Sequence, residues 1–227
     1  MMKVVALVAL LLMFPQAWGA DYPQTFVPPP PPKPWKVDAA LVELDKEQAR
    51  TAFISQTHPY TLANLFDAAA KKGQKLFDIE SGRYSPTFAS CDLGAKGDWR
   101  QALEGILARE GWGYEMRGEV MVIFNRKLRA LGDAYPLNRR ISSLVLTDVS
   151  LDEAFHIIGR LLHVEIMAGG LPVVSGYEPP FPRFSVSLHD VTLREALFMI
   201  TPQLKRSTWN ASLLWVPPEP ILCLSFQ

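Results

Sequence analysis

Cysteine is nearly absent from this sequence: only Cys91 and Cys223 occur among 227 residues. Two cysteines cannot form the several cross-links of a disulfide-stapled scaffold or the four-thiolate site of a structural zinc domain. They could form one disulfide if the chain is exported, because oxidising compartments permit such bonds. The alternative, which we favour, is that both are small, buried, hydrophobic side chains.

Neither sign of charge is in excess, since 23 basic residues balance 23 acidic ones. No basic stripe predicts contact with nucleic acid, and no acidic tract predicts a partner attracted by charge alone. Hydrophobic residues make up 48% of the chain, which is enough for packed cores. We therefore expect a globular protein without a nucleic-acid partner.

Long hydrophobic runs are also missing, apart from residues 4–14. That run is too short to span a bilayer comfortably, and Lys3 precedes it. Ala17 and Gly19 supply the small side chains of a cleavage site. Residues 1–19 therefore predict a secretory signal, with a retained anchor as the alternative. We expect a periplasmic chain that is peripheral to the membrane, with association with the outer membrane as an option.

Residues suited to catalysis or metal binding are scarce. Glu153 and His156 have the Glu-x-x-His spacing of helical metal sites, but an exposed capping glutamate beside a half-exposed histidine explains the pair better. The other histidines, His58, His163 and His189, do not have the spacing of a helical zinc pair. No Gly-x-Ser-x-Gly elbow is present. We expect no enzymatic activity, no metal and no cofactor.

Proline is concentrated near the start of the chain, with five in a row at residues 28–32. Such a run cannot form helices or sheet ladders and prefers the extended polyproline conformation. Residues 20–36 therefore predict a stiff spacer between the signal and the first folded residues.

A helical pattern occurs four times. Each copy begins with Thr, Asp or Ser and continues with apolar residues at relative positions 0, 3, 4 and 7, which places them on one helix face. Ser150 with Glu153 and Thr192 with Glu195 form capping boxes. The pattern predicts helices near residues 62–72, 99–110, 151–162 and 193–204. Their occurrence in two ordered pairs indicates an internal repeat.

Strand patterns repeat around these helices. Hairpins are predicted at residues 112–124 and 209–226, where glycine or proline separates two apolar runs. A strand at 141–146 precedes the second pair of helices, whereas residues 37–54 suggest a helix followed by a strand. We predict an α+β fold with two modules, each with two helices on short sheets, at residues 37–126 and 141–227. Residues 127–140 form the linker.

These elements resemble the short N-terminal domain shared by secretins and TonB-dependent receptors. The residues that carry the resemblance lie at 184–197 in the second module, and at 98–103, 111–114 and 120–124 in the first. In that family, a strand leads into a helix with an apolar-x-x-Ala-Leu start, and a hairpin closes the domain. The resemblance is to the short domain alone, since we expect neither a channel nor a barrel domain after the modules.

The resemblance implies a periplasmic docking module, so we expect a non-enzymatic adaptor of an envelope-spanning assembly: a secretion system, a conjugation apparatus or a type IV pilus. Its partners would be a secretin or another outer-membrane complex component, and a ring-type homo-oligomer is an option. The alternatives are a TonB-linked signalling or uptake accessory, and a cell-wall binding or hydrolytic protein that uses exposed tryptophans. We expect partners at sheet edges. The candidate residues are Phe184, Val186, Leu188, Ile221, Leu222, Leu224 and Phe226.

Overall fold

The computed structural model describes residues 38–54, 58–94, 97–170, 181–216 and 219–227. The predicted signal (1–19) and the whole of the predicted spacer (20–36) lie outside this part of the chain. The described residues belong to one compact unit with mixed helices and sheets, which confirms the predicted α+β class.

The first half begins with a helix that the sequence did not predict correctly. Helix α1 covers Ala39–Ile54, where we expected a helix followed by a strand. The strand that precedes the next helix is instead β1, only two residues long. The remaining elements of this half are β1 (Tyr60–Thr61), α2 (Leu62–Ala70), β2 (Leu76–Glu80), β3 (Thr87–Phe88), α3 (Trp99–Arg109), β4 (Trp112–Arg117) and β5 (Val120–Asn125).

The second half follows a short packed connection. That connection contains α4 (Arg126–Arg129) and two 3₁₀ turns, at Gly132–Ala134 and Pro136–Asn138. The elements of the second half are β6 (Arg140–Val149), α5 (Leu151–Leu162), β7 (Ile166–Gly170), β8 (Phe184–Thr192), α6 (Leu193–Gln203), β9 (Trp209–Val216) and β10 (Glu219–Phe226).

The four predicted helices start at the predicted residues because their first turns are capped. Glu153 Oε2 accepts a hydrogen bond from the Ser150 amide at 2.7 Å, and Glu195 Oε2 accepts one from the Thr192 amide at 2.7 Å. In return, the Ser150 and Thr192 hydroxyl oxygens accept from the amides of the two glutamates. Each box satisfies amide donors that have no partner within the helix.

The order of elements and the strand pairings are the same in both halves. In the first half, β1 pairs with β3, β2 runs parallel to β5, and β4 is antiparallel to β5. In the second half, β6 pairs with β8, β7 runs parallel to β10, and β9 is antiparallel to β10. Strands β2, β4 and β5 therefore correspond to β7, β9 and β10.

One six-stranded sheet joins the two halves, in the order β4-β5-β2-β9-β10-β7. The joint is the parallel pair β2 and β9, in which Ile79 lies opposite Asn210 and Glu80 lies opposite Ala211. Residues opposite each other in a sheet point to the same face. Ile79 packs against the first core cluster and Ala211 belongs to the second, so the two cores lie on opposite faces of this sheet.

The second core extends beyond the boundaries that the sequence suggested for the second module. Leu41 and Leu44 of α1 belong to it, together with Leu128, Tyr135 and Leu137 of the connection. Residues 127–140, predicted as a linker, thus contribute buried side chains and do not only connect two modules. A strand-and-helix pattern could not reveal this packing, because the apolar residues of the connection have no regular period.

Candidate functional site: the edges of the sheets

The predicted docking strand at the C-terminus is not a sheet edge. Strand β10 lies between β9 and β7 and pairs with both, so its backbone has no open side. The edge prediction for these residues is therefore wrong. Three of them are buried in the second core and one is half-buried on the strand; they are Leu222, Leu224, Phe226 and Ile221.

The second predicted docking strand keeps one open side within the described residues. Strand β8 pairs with β6 alone, as a two-stranded antiparallel ribbon. The predicted alternation is confirmed, because Phe184 and Leu188 are buried and Val186 is half-buried against the second core. These side chains hold the ribbon on the core, so only the backbone and the opposite face of β8 are accessible.

Within the described residues, the outer strands of the six-stranded sheet are open edges that the sequence did not indicate. Strands β4 and β7 each pair on one side only in the part of the chain that the structure describes. Each carries an exposed methionine: Met116 on β4 is 38% exposed and Met167 on β7 is 53% exposed. The local sequence can favour a strand in each segment, but the position of that strand in the sheet depends on pairings between distant segments.

The hydrogen-bond pattern shows which backbone groups of these edges face outward. The Arg126 amide donates to the Gly111 carbonyl at 3.0 Å, so the backbone amide and carbonyl groups of Gly111 and of every second residue after it point towards β5. Tyr114 and Met116 therefore direct their amide and carbonyl groups away from the sheet. The Leu222 amide donates to the Glu165 carbonyl at 2.9 Å, so the backbone amide and carbonyl groups of Ile166 and Ala168 in β7 point away from the sheet.

A buried ionic network lies where the two halves meet. Glu80 is 1% exposed, and its carboxylate accepts hydrogen bonds from two arginines that belong to other segments. Arg129 Nη2 lies 2.7 Å and Arg194 Nε 2.6 Å from Glu80 Oε1. Arg129 Nη1 also donates to Glu115 at 2.9 Å, and Arg194 donates to Asn138 at 2.8 Å. These bonds connect β2, β4, α4, the connection and α6.

A second buried carboxylate lies at the same joint. Asp78 Oδ1 accepts a hydrogen bond from the Trp209 amide at 2.8 Å, which holds the start of β9 against β2. Burial raises the pKa of Asp78 to about 7, and the hydrogen bond from Trp209 opposes this shift only in part. The nearby Glu80 carboxylate raises the pKa further. The charged form of Asp78 is therefore disfavoured in the folded chain.

A cleft of about 310 Å³ lies in the first half and was not apparent from the sequence. His58, Tyr84, Glu110 and Trp112 are among the residues that line it. His58 Nδ1 is 3.7 Å from Glu110 Oε1, and that ring nitrogen has no hydrogen-bond partner within the described residues. A histidine and a carboxylate at this distance form a loose ion pair when the histidine is protonated.

The remaining candidate residues stay apart. Cys91 and Cys223 are free and half-buried, so the disulfide option is not realised. Cys91 packs against the first core, and Cys223 lies in β10 opposite Ser212 and Met167. Glu153 caps α5 and pairs with Arg183 at 3.2 Å, while His156 is exposed. No group of three or more His, Cys, Asp or Glu suited to a metal was found among the described residues.

Comparison with known proteins finds no match: no family model, no curated protein and no solved structure is similar to this chain. In the region covered by the structure, no helix combines the length and the apolar character needed to cross a bilayer.

Proposed function

We propose that this chain is a non-enzymatic periplasmic adaptor that docks other proteins of an envelope-spanning assembly through its sheet edges. The observation that carries the proposal is the six-stranded sheet, whose end strands β4 and β7 have no second neighbour among the described residues. Natural proteins commonly cover, shorten or charge such edges, because open edges pair with other chains. An open edge that carries an exposed apolar side chain is suited to strand addition by a partner.

The edge strand β7 lacks the features that usually block such pairing. Its five residues, Ile-Met-Ala-Gly-Gly, include neither a charged residue nor a proline. The predicted signal and spacer add to the proposal, since the signal would deliver the chain to the periplasm and the spacer would separate the mature N-terminus from the folded part. The adaptor would need no metal or cofactor, since docking relies on backbone pairing and apolar contacts.

The burial of the tryptophans favours docking over carbohydrate binding. Trp112 and Trp209 lie in the two cores and cannot stack on sugars of the cell wall. Trp99 is half-buried, and the Arg100 guanidinium lies 4.8 Å from its ring centre. Trp35 and the side chain of Trp215 lie outside the described residues. The TonB-linked accessory would use the same edges, so the identity of the captured partner distinguishes it from the first proposal.

A site-specific photo-crosslinking experiment in cells tests the docking function. A photoreactive residue is placed at Met116, at Met167 or at the control position Met199, which is 41% exposed on α6 but not on a sheet edge. We expect protein adducts from the two edge positions and few from Met199. Mass spectrometry should identify a secretin or another outer-membrane component, or a further copy of this chain. Equal adduct yields at all three positions would contradict docking at the edges.

Cell fractionation and metal analysis test the other parts of the proposal. We expect the mature chain in the periplasmic fraction, with its N-terminus after Gly19. The purified protein should contain no stoichiometric metal and should not hydrolyse cell-wall fragments. Retention in the cytoplasm, bound metal or hydrolysis would each overturn the corresponding part.

A further inference from the structure

Two strands meet at the joint between the halves, and each half contains a strand that corresponds to either of them. In this joint, β2 of the first half lies parallel to β9 of the second half. The strand that corresponds to β2 in the second half is β7, and the strand that corresponds to β9 in the first half is β4. These two strands are the open edges of the same sheet. Each half thus has one strand of the β2 type and one strand of the β9 type. Within the described chain, β7 has no neighbour of the β9 type and β4 has no neighbour of the β2 type.

The strand directions allow the joint to be repeated between two chains. Strands β5, β2 and β9 run in one direction, whereas β4, β10 and β7 run in the other, as the parallel and antiparallel pairings require. Because β4 and β7 point the same way, a second copy placed beside the first in the same orientation sets its β4 parallel to β7. The joint between β2 and β9 is parallel as well.

The residue correspondence follows from the hairpin register. Trp209 lies opposite Phe226, and Trp112 lies opposite Asn125, at the start of the two hairpins. Counting along the strands from these pairs, Ala211 corresponds to Tyr114 and Leu213 corresponds to Met116. Counting along the parallel pairs in the same way, Asp78 corresponds to Met167, and Glu80 corresponds to Gly169.

The side chains at the open edges are exposed where their counterparts at the joint are buried. Asp78 is 1% exposed and Leu213 is 5% exposed, whereas Met167 and Met116 are among the exposed large hydrophobic residues. A methionine replaces the buried aspartate, so the β7 edge is more apolar than its counterpart β2 at the joint. The β4 edge differs, because it carries Glu115 and Arg117 where β9 has Ser212 and Leu214. Exposed apolar side chains along an unpaired strand are stabilised when a second strand covers them.

The outward backbone groups also match those of the joint. At the joint, the Ser81 amide donates to the Ala211 carbonyl at 2.8 Å. The corresponding groups at the open edges are the Gly170 amide and the Tyr114 carbonyl, and the alternation described above directs both outward. A parallel ladder between β7 and β4 therefore has donors and acceptors in the required places.

We propose that this chain associates with copies of itself, head to tail, through β7 of one copy and β4 of the next, in the register of the β2 and β9 joint. The inference rests on the proposed docking function and names a second copy of this chain as a partner. Because the two contacting surfaces differ, the association closes into a ring or continues as a filament, depending on the rotation between copies.

A mixing experiment with single cysteines tests this arrangement. Both native cysteines of the mature chain are replaced, by Cys91→Ser and Cys223→Ala, and then Met116→Cys or Gly169→Cys is added. Met116 is exposed, and a side chain at Gly169 would meet no atom within 4 Å, so both variants should fold. In the proposed register these positions are diagonal neighbours on one face, within reach of a short bismaleimide.

We expect a crosslinked dimer from a mixture of the two variants and none from either variant alone. A chain with both cysteines should give a ladder of higher multiples. Dimers from one variant alone would indicate a symmetric contact and would overturn the head-to-tail arrangement. The absence of a dimer from the mixture, with circular dichroism showing folded protein, would also overturn it.

A charge at the edge provides an independent test by sedimentation. Met167→Lys places a charge in the proposed contact, and we expect the self-association constant to fall about tenfold or more, whereas the control Met199→Lys should not change it. Equal effects of the two variants, or a monomeric parent chain, would refute the proposal.

If the purified chain is monomeric but Met167 is crosslinked to a different protein in cells, only self-association fails. If cells give no protein adduct either, the docking function fails too.

Discussion

Glu80 is a buried carboxylate whose two arginine partners come from distant parts of the chain. Its neighbours along β2 suggest only an ordinary strand, and nothing in their spacing indicates Arg129 or Arg194. Replacement of one partner in a buried ion pair is costly because it leaves uncompensated charge. A network of this kind is one way in which a particular arrangement of the two halves can be specified.

We expect Glu80→Gln to destabilise the protein by about 3–5 kcal/mol, because Arg129 and Arg194 would lose their shared carboxylate. The matched control is Glu47→Gln, which removes a carboxylate 2.6 Å from Lys127 in a pair that is more than half exposed. That control should cost less than about 1 kcal/mol. Urea unfolding of both variants measures the difference, and similar losses in the two would contradict the assigned role of Glu80.

Asp78 makes the stability of the fold depend on pH. Its pKa is about 7 in the folded chain, against 3.8 for an ordinary aspartate. Between these values the folded state binds more protons than the unfolded state, so the contribution of Asp78 to stability falls as the pH rises through this window. It is fully present near pH 4 and is lost above about pH 7.

We expect Asp78→Asn to remove this decline, because an amide oxygen can still accept from the Trp209 amide but carries no charge. At pH 8 the variant should be more stable than the parent chain, by up to about 4 kcal/mol, and the difference should shrink towards pH 5. The exposed Asp67→Asn serves as the control. Urea unfolding at pH 5, 6.5 and 8 measures the free energy of unfolding of both proteins. The prediction is contradicted if this free energy depends on pH in the same way in the variant and in the parent chain.

At the scale of elements, α6 shows how a capped, amphipathic pattern leads to a buried helix face. The pattern predicted that Leu193, Ala196, Leu197 and Ile200 share one face, and all four are buried in the second core. The same core contains residues of α1 and of the connection. Damage to this face should therefore affect more of the chain than the second half.

We expect Leu197→Asp to unfold both halves together, because an unpaired buried carboxylate costs several kcal/mol, a large share of the stability of a small protein. The control Met199→Asp makes the same chemical change at an exposed position of the same helix. Circular dichroism and tryptophan fluorescence during thermal unfolding provide the measurement. A first half that stays folded in Leu197→Asp would show that the shared sheet does not couple the halves.

At the scale of the whole molecule, the two halves share both a sheet and part of a core. The β2 and β9 pair is short, but the network of Glu80 and the bond from Trp209 to Asp78 reinforce it. Leu41 and Leu44 belong to α1, at the start of the first half, and pack with the second core. Cooperative unfolding of the described unit follows from these contacts.

We expect a fragment of residues 141–227 to be much less stable than the same residues in the intact chain. The fragment would lack β2, which pairs with β9 at the joint, and it would lack the buried side chains of α1 and of the connection. The apolar surface exposed in this way costs about 25 cal/mol of stability per Å². Urea unfolding of the fragment and of the intact chain measures the difference. A fragment that unfolds at the same urea concentration as the intact chain would contradict this dependence.

The sequence by itself determined the local elements of this protein. Capping residues and 3.6-residue periodicity predicted α2, α3, α5 and α6 to within about two residues, because these signals act within one turn of a helix. Glycine or proline between two apolar runs predicted the hairpins, which is also a local signal, and the α+β class followed from these elements. The superposition of the two halves remains a prediction, although their elements and pairings agree.

Only the tertiary structure decided which strands are edges, which charges are buried and where the cores end. Strand β10 looked like a terminal edge, but β7 pairs with it across a long separation in sequence. Nothing in the sequence around Asp78 and Glu80 indicates that β9 and two arginines cover these carboxylates. These outcomes depend on contacts between distant segments, and neither the spacing nor the composition of a single segment records which other segment it will meet.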